Sequence, residues 1–138
     1  MSVFTWGARV YWEDTDGGAI VYYANYLRYL ERARTEWLRA HGYSQQALAR
    51  EPGILFTVVS LEVNYRAPAR LDDMLKISCE PQREGMASLR FIQRIHRAVE
   101  GTPAQLLLDA NVRVACVDAR TLRPRRLPDF LIEDMVES

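Results

Sequence analysis

Two aspartates and two glycines lie close together in the segment "EDTDGGAIVYYANY", residues 13–26, just ahead of a predicted helix. Backbone N–H groups at a helix start are unpaired and carry partial positive charge, so they can hold a polarised carbonyl oxygen. A carboxylate in the loop before them can attack an acyl carbon or activate a water molecule. Asp16 is the candidate for this acid, and Gly17 and Gly18 would let the chain reverse and leave room for a substrate.

Two other interpretations of this segment stay open. A turn rich in aspartate and glycine needs no chemical explanation. The pattern D-x-D-G also supplies the first ligands of a calcium loop, although it lacks the third oxygen position and the distant glutamate of an EF-hand. The chain has no GxSxG motif and no glycine-rich phosphate loop, and its two cysteines and two histidines are too scattered for a zinc site. We expect neither a metal nor a cofactor.

The elements around the candidate acid follow from hydrophobic periodicity. A strand over residues 3–12 is expected before it, and apolar residues at helical spacing predict a long helix from about Ala24 to His41. Gly42 lies where this helix would end, and a short helix over 45–50 would follow. The predicted buried stripe of the long helix consists of Tyr26, Leu27, Leu30, Ala33, Trp37 and Leu38.

Most of the remaining chain has the alternating pattern of strands. Apolar and polar residues alternate in segments between residues 54 and 118, with turn signals between them. A basic stretch after Thr121 then leads to a short helix predicted to start at Pro128. One long helix and a run of antiparallel strands predict an α+β fold, in which a curved sheet of about five strands wraps the helix. Residues 1–138 are expected to form a single domain.

Charge and composition restrict the partners. Eighteen basic and eighteen acidic residues give a formal net charge of zero, which argues against a nucleic-acid or membrane partner held by charge alone. No stretch approaches the roughly 20 apolar residues of a membrane span, and the N-terminus lacks the pattern of a signal peptide. Cys79 and Cys116, the only cysteines, are expected to be buried thiols of a cytoplasmic protein.

The segment "RVYWEDTDGGAIVYYANYLRYLERARTEWLRAHGYSQQAL" resembles the 4-hydroxybenzoyl-CoA thioesterase-like branch of the hotdog superfamily. "VNYRAPARLDDMLKI" and "ACVD…RPRRLP" extend the resemblance over nearly the whole chain, most closely to the small acyl-CoA thioesterases associated with the bacterial Tol-Pal system. The resemblance implies a hotdog fold and hydrolysis of acyl-CoA to free acid and CoA. It also implies a homodimer or a dimer of dimers, that is a homotetramer, with active sites at subunit interfaces.

The same resemblance assigns roles to single residues. It places the catalytic carboxylate on Asp16 and the oxyanion donor on the backbone N–H of Tyr23, with Asp14 shaping the loop. The implied substrate-binding residues are Gly18, Val21 and Thr57, and those for the CoA moiety are Gly85, Ser88, Arg123, Arg125 and Arg126. Two positions depart from the family pattern: relatives in the Tol-Pal group commonly have histidine where Tyr23 stands, and the family favours glycine at the position of Ala19.

A second interpretation of the chain is a binding module for acyl carrier protein or for an enzyme of phospholipid synthesis, with little or no catalysis. A pure binder would not need Asp16 ahead of the helix start. The acyl group, the role of Asp16 as nucleophile or general base, and the choice between dimer and tetramer stay open at this point. Clustered arginines are more often a solvated face than a phosphate site, so this alternative also stays open.

Overall fold

The computed structural model describes residues 3–132. The elements in chain order are β1 (Phe4–Arg9), β2 (Thr15–Asp16), β3 (Ile20–Val21), α1 (Tyr26–Ala40), α2 (Gln45–Arg50), β4 (Ile54–Tyr65), β5 (Met74–Arg83), β6 (Ser88–Arg97) and β7 (Gln105–Asp118). Two 3-10 turns, Trp12–Asp14 and Tyr23–Asn25, flank the β2–β3 hairpin. Among the described residues, no helix is long and apolar enough to cross a membrane.

Five long strands form one antiparallel sheet in the order β1-β5-β6-β7-β4. β2 and β3 form a separate small hairpin. The predicted α+β architecture, one long helix on an antiparallel five-stranded sheet, is therefore confirmed. Strands β1 and β4 are its two edges, so within residues 3–132 one long side of β4 has no partner strand.

Helix α1 lies on the inner face of the sheet because its buried stripe matches the buried face of the strands. Trp37 packs edge-on against Phe91 of β6, with ring centroids 5.4 Å apart. The predicted alternation is confirmed on β5, β6 and β7, whose core-facing residues include Leu75, Ile77, Cys79, Leu89, Phe91, Ile95, Leu108, Ala110, Val112, Val114 and Cys116. Both cysteines are buried free thiols.

The predicted helix boundaries and stripe need two corrections. The α-helix starts at Tyr26 rather than Ala24, because residues 23–25 form the tighter 3-10 turn. Leu27 was wrongly placed in the buried stripe: its side chain is 38% exposed, whereas Tyr29 is 1% exposed. Tyr26, Tyr29, Ala33 and their neighbours follow one face at helical spacing, and Leu27 is rotated about 100° away from Tyr26.

Two further boundaries and the burial of one strand differ from the expectations. β1 ends at Arg9, earlier than residue 12, because the chain turns into the 3-10 segment at Trp12–Asp14. Strand β4 was expected, but residues 57–62 are exposed on both faces, since β4 is an edge strand that α1 does not cover. The predicted C-terminal helix begins at residue 129, and the described part of it ends at residue 132.

Candidate active site

The loop ahead of α1 is a hairpin held by backbone geometry that only glycine adopts easily. Gly17 and Gly18 have φ angles of +72° and +85°. The Thr15 hydroxyl accepts a hydrogen bond from the Gly18 amide (2.9 Å) and donates one to the Trp12 carbonyl (2.7 Å). A Cβ on Gly18 would lie 2.5 Å from Cη2 of the Trp12 ring. The two glycines therefore give the hairpin its shape, and the second also makes room for an indole.

Asp14 is the buried acid of the pair and it ties the hairpin to the helix start. Its carboxylate accepts hydrogen bonds from the Tyr11 amide (2.9 Å) and from the side-chain amide of Asn25 (3.0 Å). Its backbone carbonyl accepts from the Tyr22 amide (3.1 Å). This arrangement agrees with the expected loop-shaping role, since Asp14 contacts the chain on both sides of the hairpin.

The environment of Asp14 favours the ionised carboxylate. Burial alone would raise the pKa of Asp14, but the Tyr11 amide, the Tyr29 and Asn25 side chains and the charge of Arg32 together hold it below its ordinary value. The Tyr29 hydroxyl is buried without a hydrogen-bond partner of normal geometry among the described residues. Burial and the nearby Asp14 raise the pKa of Tyr29, so it remains a neutral phenol.

Asp16 is placed very differently, at the tip of β2, where it pairs across the hairpin with Ile20. Its side chain is exposed, and within residues 3–132 it has no hydrogen-bond or ion-pair partner. The Tyr23 hydroxyl, then desolvation and finally the charge of Asp16 raise the pKa of Tyr22. The Asp16 carboxylate is therefore close enough to Tyr22, the residue before the 3-10 turn, for its charge to act on the phenol.

The expected oxyanion donor begins the 3-10 turn Tyr23–Asn25. Within residues 3–132 the amides of Tyr23 and Ala24 donate no hydrogen bond, as expected for the first groups of a helical segment. The Tyr23 carbonyl accepts a hydrogen bond from the hydroxyl of Tyr65, at the end of β4, at 3.0 Å. Val21 lies just before this turn, and its side chain is buried in the core rather than open to a substrate.

A second group of predicted residues lies at the other end of the sheet. Thr57 pairs with Ala115 of β7, and Ala115 pairs in turn with Ser88 of β6, so the three form one row across three strands. The turn between β5 and β6 contains Gly85, with a φ of +83°, and the Ser88 hydroxyl bonds back to the Glu84 carbonyl. Thr57 is exposed, whereas Ser88 is buried.

The three arginines of the C-terminal segment differ in what they contact. Arg125 donates to the carbonyls of Pro52 and Gly53, both at 2.9 Å, which occupies part of its guanidinium group within the fold. Arg126 is exposed and lies 3.9 Å from Asp129. Arg123 is exposed and makes no ion pair among the described residues. The segment lies beside the Gly85 turn, because the Leu127 amide donates to the Met86 carbonyl at 2.9 Å.

The two groups are too far apart to contact one substrate atom within a single chain. The Tyr23 turn is anchored at Tyr65, which pairs with Leu108 of β7, and the second group is aligned with Ala115 on the same strand. Ala115 lies seven positions after Leu108, which at about 3.3 Å per position corresponds to about 23 Å. One chain places Asp16 and Gly18 in the hairpin that precedes the Tyr23 turn, and places Thr57, Gly85, Ser88 and the arginines at the other end of the sheet.

A pocket that no motif indicated lies between α1 and the inner face of the sheet. Its volume is about 130 Å³ and its walls include Phe56 and Val58 of the free edge strand. Arg34 lines it and donates to the side chain of the fully buried Gln93 at 3.1 Å. Burial lowers the pKa of Arg34. The signal for Arg34 was available in the sequence, because an arginine four residues after Leu30 falls on the apolar side of the helix.

Comparisons with known proteins agree with this architecture. Residues 10–135 match the family model described as the thioesterase-like superfamily. The chain is 49% identical over 133 residues to the acyl-CoA thioester hydrolase YbgC of Escherichia coli, covering 96% of each chain. It is 41% identical over 125 residues to the acyl-CoA thioesterase YbgC of Haemophilus influenzae, covering 91% of this chain and 88% of the other.

A solved structure gives the same result in three dimensions. The 4-hydroxybenzoyl-CoA thioesterase of a Pseudomonas species superposes with a TM-score of 0.83 at 25% identity, covering 97% of this chain and 96% of the other. The similarity in sequence and the similarity in structure both extend over almost the whole length of this chain and of these relatives. The chain therefore belongs to the thioesterase-like superfamily and has the hotdog fold.

Proposed function

We propose that this acyl-CoA thioester hydrolase uses Asp16 as its catalytic carboxylate and the backbone N–H of Tyr23 as its oxyanion donor. One observation carries this assignment: the two acids of the D-x-D pair have separate environments. Asp14 is buried and satisfied by hydrogen bonds, whereas Asp16 is exposed with no partner among residues 3–132, and the amides of Tyr23 and Ala24 in the turn after the hairpin also have none. A group that is kept free beside unpaired donors is available to a substrate.

Two chemical routes use the same groups. In the first, an Asp16 oxygen attacks the acyl carbon, the C–S bond breaks to release CoA, and water then hydrolyses the resulting mixed anhydride. In the second, Asp16 takes a proton from a water molecule whose oxygen attacks the acyl carbon, and the thiolate of CoA leaves with a proton. The Tyr23 N–H stabilises the negative charge that develops on the thioester oxygen in both.

The wide separation between the two groups of residues supports a site shared between subunits. In a dimer formed by antiparallel pairing of two β4 edges, the Tyr65 end of one strand lies beside the Ile54 end of the other. That pairing would bring the partner subunit's Thr57 towards Asp16 and Tyr23. The CoA phosphates would then meet the Gly85 turn and the arginines of the C-terminal segment, of which Arg123 and Arg126 have exposed side chains. Four Val, Leu and Tyr side chains on β4 are 43–49% exposed, as expected for an edge strand that forms a subunit interface.

We also infer a cytoplasmic enzyme, since both cysteines are buried free thiols and CoA esters are its substrate class. Acyl carrier protein is proposed as a second partner to test. Dimer and dimer of dimers are both compatible with pairing at β4, because the outer face of the sheet stays open.

The test of the function is Asp16→Asn assayed on short, medium and aromatic acyl-CoA esters. We expect kcat/KM to fall by about 10²- to 10⁴-fold on the preferred ester. The matched control is Glu13→Gln, which removes an exposed carboxylate from the same loop. Equal, slow hydrolysis of every ester by the parent and by Asp16→Asn would instead indicate a binding module.

A second measurement separates the two routes. Under single-turnover conditions, rapid quenching and mass spectrometry would detect an acyl group on the peptide that contains Asp16 if this residue is the nucleophile. If half of the thioester is consumed and no acylated peptide has formed, the general-base route is the correct one.

A further inference from the structure

Tyr65 is the last residue of the edge strand β4, and it reaches back to the turn that carries the expected oxyanion donor. Its hydroxyl donates to the Tyr23 carbonyl at 3.0 Å. Its ring lies edge-on to Tyr26, the first residue of α1, with centroids 5.6 Å apart. Neither the D-x-D motif nor the helical pattern indicated this residue, because it lies about 40 positions further along the chain.

The hydrogen bond acts on the peptide plane next to the donor. The carbonyl of Tyr22 is already held by the Asn25 amide at 2.8 Å, which fixes the peptide that contains the Tyr23 N–H. The carbonyl of Tyr23 and the N–H of Ala24 share the following peptide, and the Tyr65 hydroxyl makes a long-range side-chain hydrogen bond to that carbonyl. A hydrogen bond to a carbonyl also polarises the N–H of the same peptide.

We propose that Tyr65 is a positioning residue that fixes the direction of the unpaired amides at Tyr23 and Ala24, so that they point at the developing oxyanion. This inference deepens the proposed function and rests on it. Tyr65 does not touch the reacting atoms; it acts through the donor turn.

Two features of Tyr65 suit this role. Burial, followed by the nearby Tyr23, raises the pKa of Tyr65, so its hydroxyl remains a hydrogen-bond donor at neutral and mildly alkaline pH. Its side chain is 49% exposed in the single chain, on the edge to which no other described strand is paired. Pairing of that edge would exclude water from the Tyr65–Tyr23 hydrogen bond, so assembly and the geometry of the donor would be linked.

The test is Tyr65→Phe, which keeps the ring contact with Tyr26 and removes only the hydroxyl. We expect kcat to fall by about tenfold, because small misplacement of an oriented group is costly, while KM changes by less than about twofold. The control is Tyr11→Phe, a tyrosine 61% exposed whose hydroxyl makes no hydrogen bond with the donor turn. Kinetics are measured well below the melting temperature of every variant, so that unfolded protein does not contribute.

Each outcome is informative. A parental kcat for Tyr65→Phe, with Asp16→Asn inactive, would overturn the inference and leave the proposed function intact. If Asp16→Asn retains activity, the proposed function itself fails. A fall in the melting temperature with an unchanged kcat would show that Tyr65 is only structural. Tyr65→Leu, which also removes the ring, should lower kcat further than Tyr65→Phe; equal kcat values would show that the ring contact has no part in holding the turn.

Discussion

Asp14 and Asp16 are two residues apart, and the structure predicts opposite consequences when each is changed to asparagine. In Asp14→Asn, one amide oxygen replaces two carboxylate oxygens that accept from Tyr11 and Asn25. The new NH₂ group must face one of these donors, so one hydrogen bond is lost and a buried donor stays unpaired. We expect the free energy of unfolding to fall by about 1.5–3 kcal/mol. Asp16→Asn changes an exposed side chain and should alter the free energy of unfolding by less than about 0.5 kcal/mol.

The two variants are compared by urea unfolding at one protein concentration, with initial rates on the preferred acyl-CoA measured in parallel. Asp14→Asn should lose stability and part of its activity, because the donor turn loses its anchor at Asn25. Asp16→Asn should unfold like the parent and lose nearly all activity. If Asp14→Asn is as stable as the parent, or if Asp16→Asn is the less stable of the two, the division of roles described above is wrong.

The pH dependence gives an independent check on Asp14. Its pKa is lowered in the folded protein, so its stabilising effect is present above the unfolded-state value of about 3.9 and is lost as the pH falls through the folded-state pKa. The difference in unfolding free energy between the parent and Asp14→Asn should therefore be constant from about pH 5 upwards and should shrink below about pH 4. A difference that persists at the lowest pH would assign the effect to packing rather than to the charge.

Two further predictions use matched pairs of substitutions. Gly18→Ala should lower both stability and activity, because the new Cβ would overlap the Trp12 ring and the residue would keep a φ of +85°. Gly17→Ala has no atom within 4 Å of the new Cβ, so it should cost only the backbone strain of about 1 kcal/mol. Equal melting temperatures for the two variants would contradict this. Val59→Lys on the β4 edge should shift the protein towards monomer in light scattering and lower kcat/KM, whereas Val99→Lys, at a residue of nearly equal exposure (49% and 50%), should do neither. An unchanged oligomer in Val59→Lys would show that this edge is not the subunit interface.

The fold could be predicted from the chain alone because its signals are local. The helical spacing of Leu30, Ala33 and Trp37, the alternation along β7 and the glycine after α1 each depend on residues close in sequence. Asp16 could be singled out as a candidate for the same reason, since the acidic loop and the helix start are close in sequence, whereas the assignment of Tyr23 came from the resemblance to the hotdog thioesterases. Leu27 was misplaced because it borders the buried stripe, where periodicity does not decide between the core and solvent.

Only the tertiary structure decided which acid of the pair is free, since both are aspartates in one loop and their difference arises from Asn25 and the Tyr11 amide. Contacts between the sheet and the helical segments could not be predicted from the sequence either. The Tyr65 hydroxyl bonds to the Tyr23 carbonyl, and Arg34 bonds to Gln93, through packing of segments about 40 to 60 residues apart. The same holds for the separation of about 23 Å between the Tyr23 turn and the Ser88 row, because it depends on strand register. Residue types and short spacings specify which groups are present, whereas strand register and burial determine which of them remain available to a substrate.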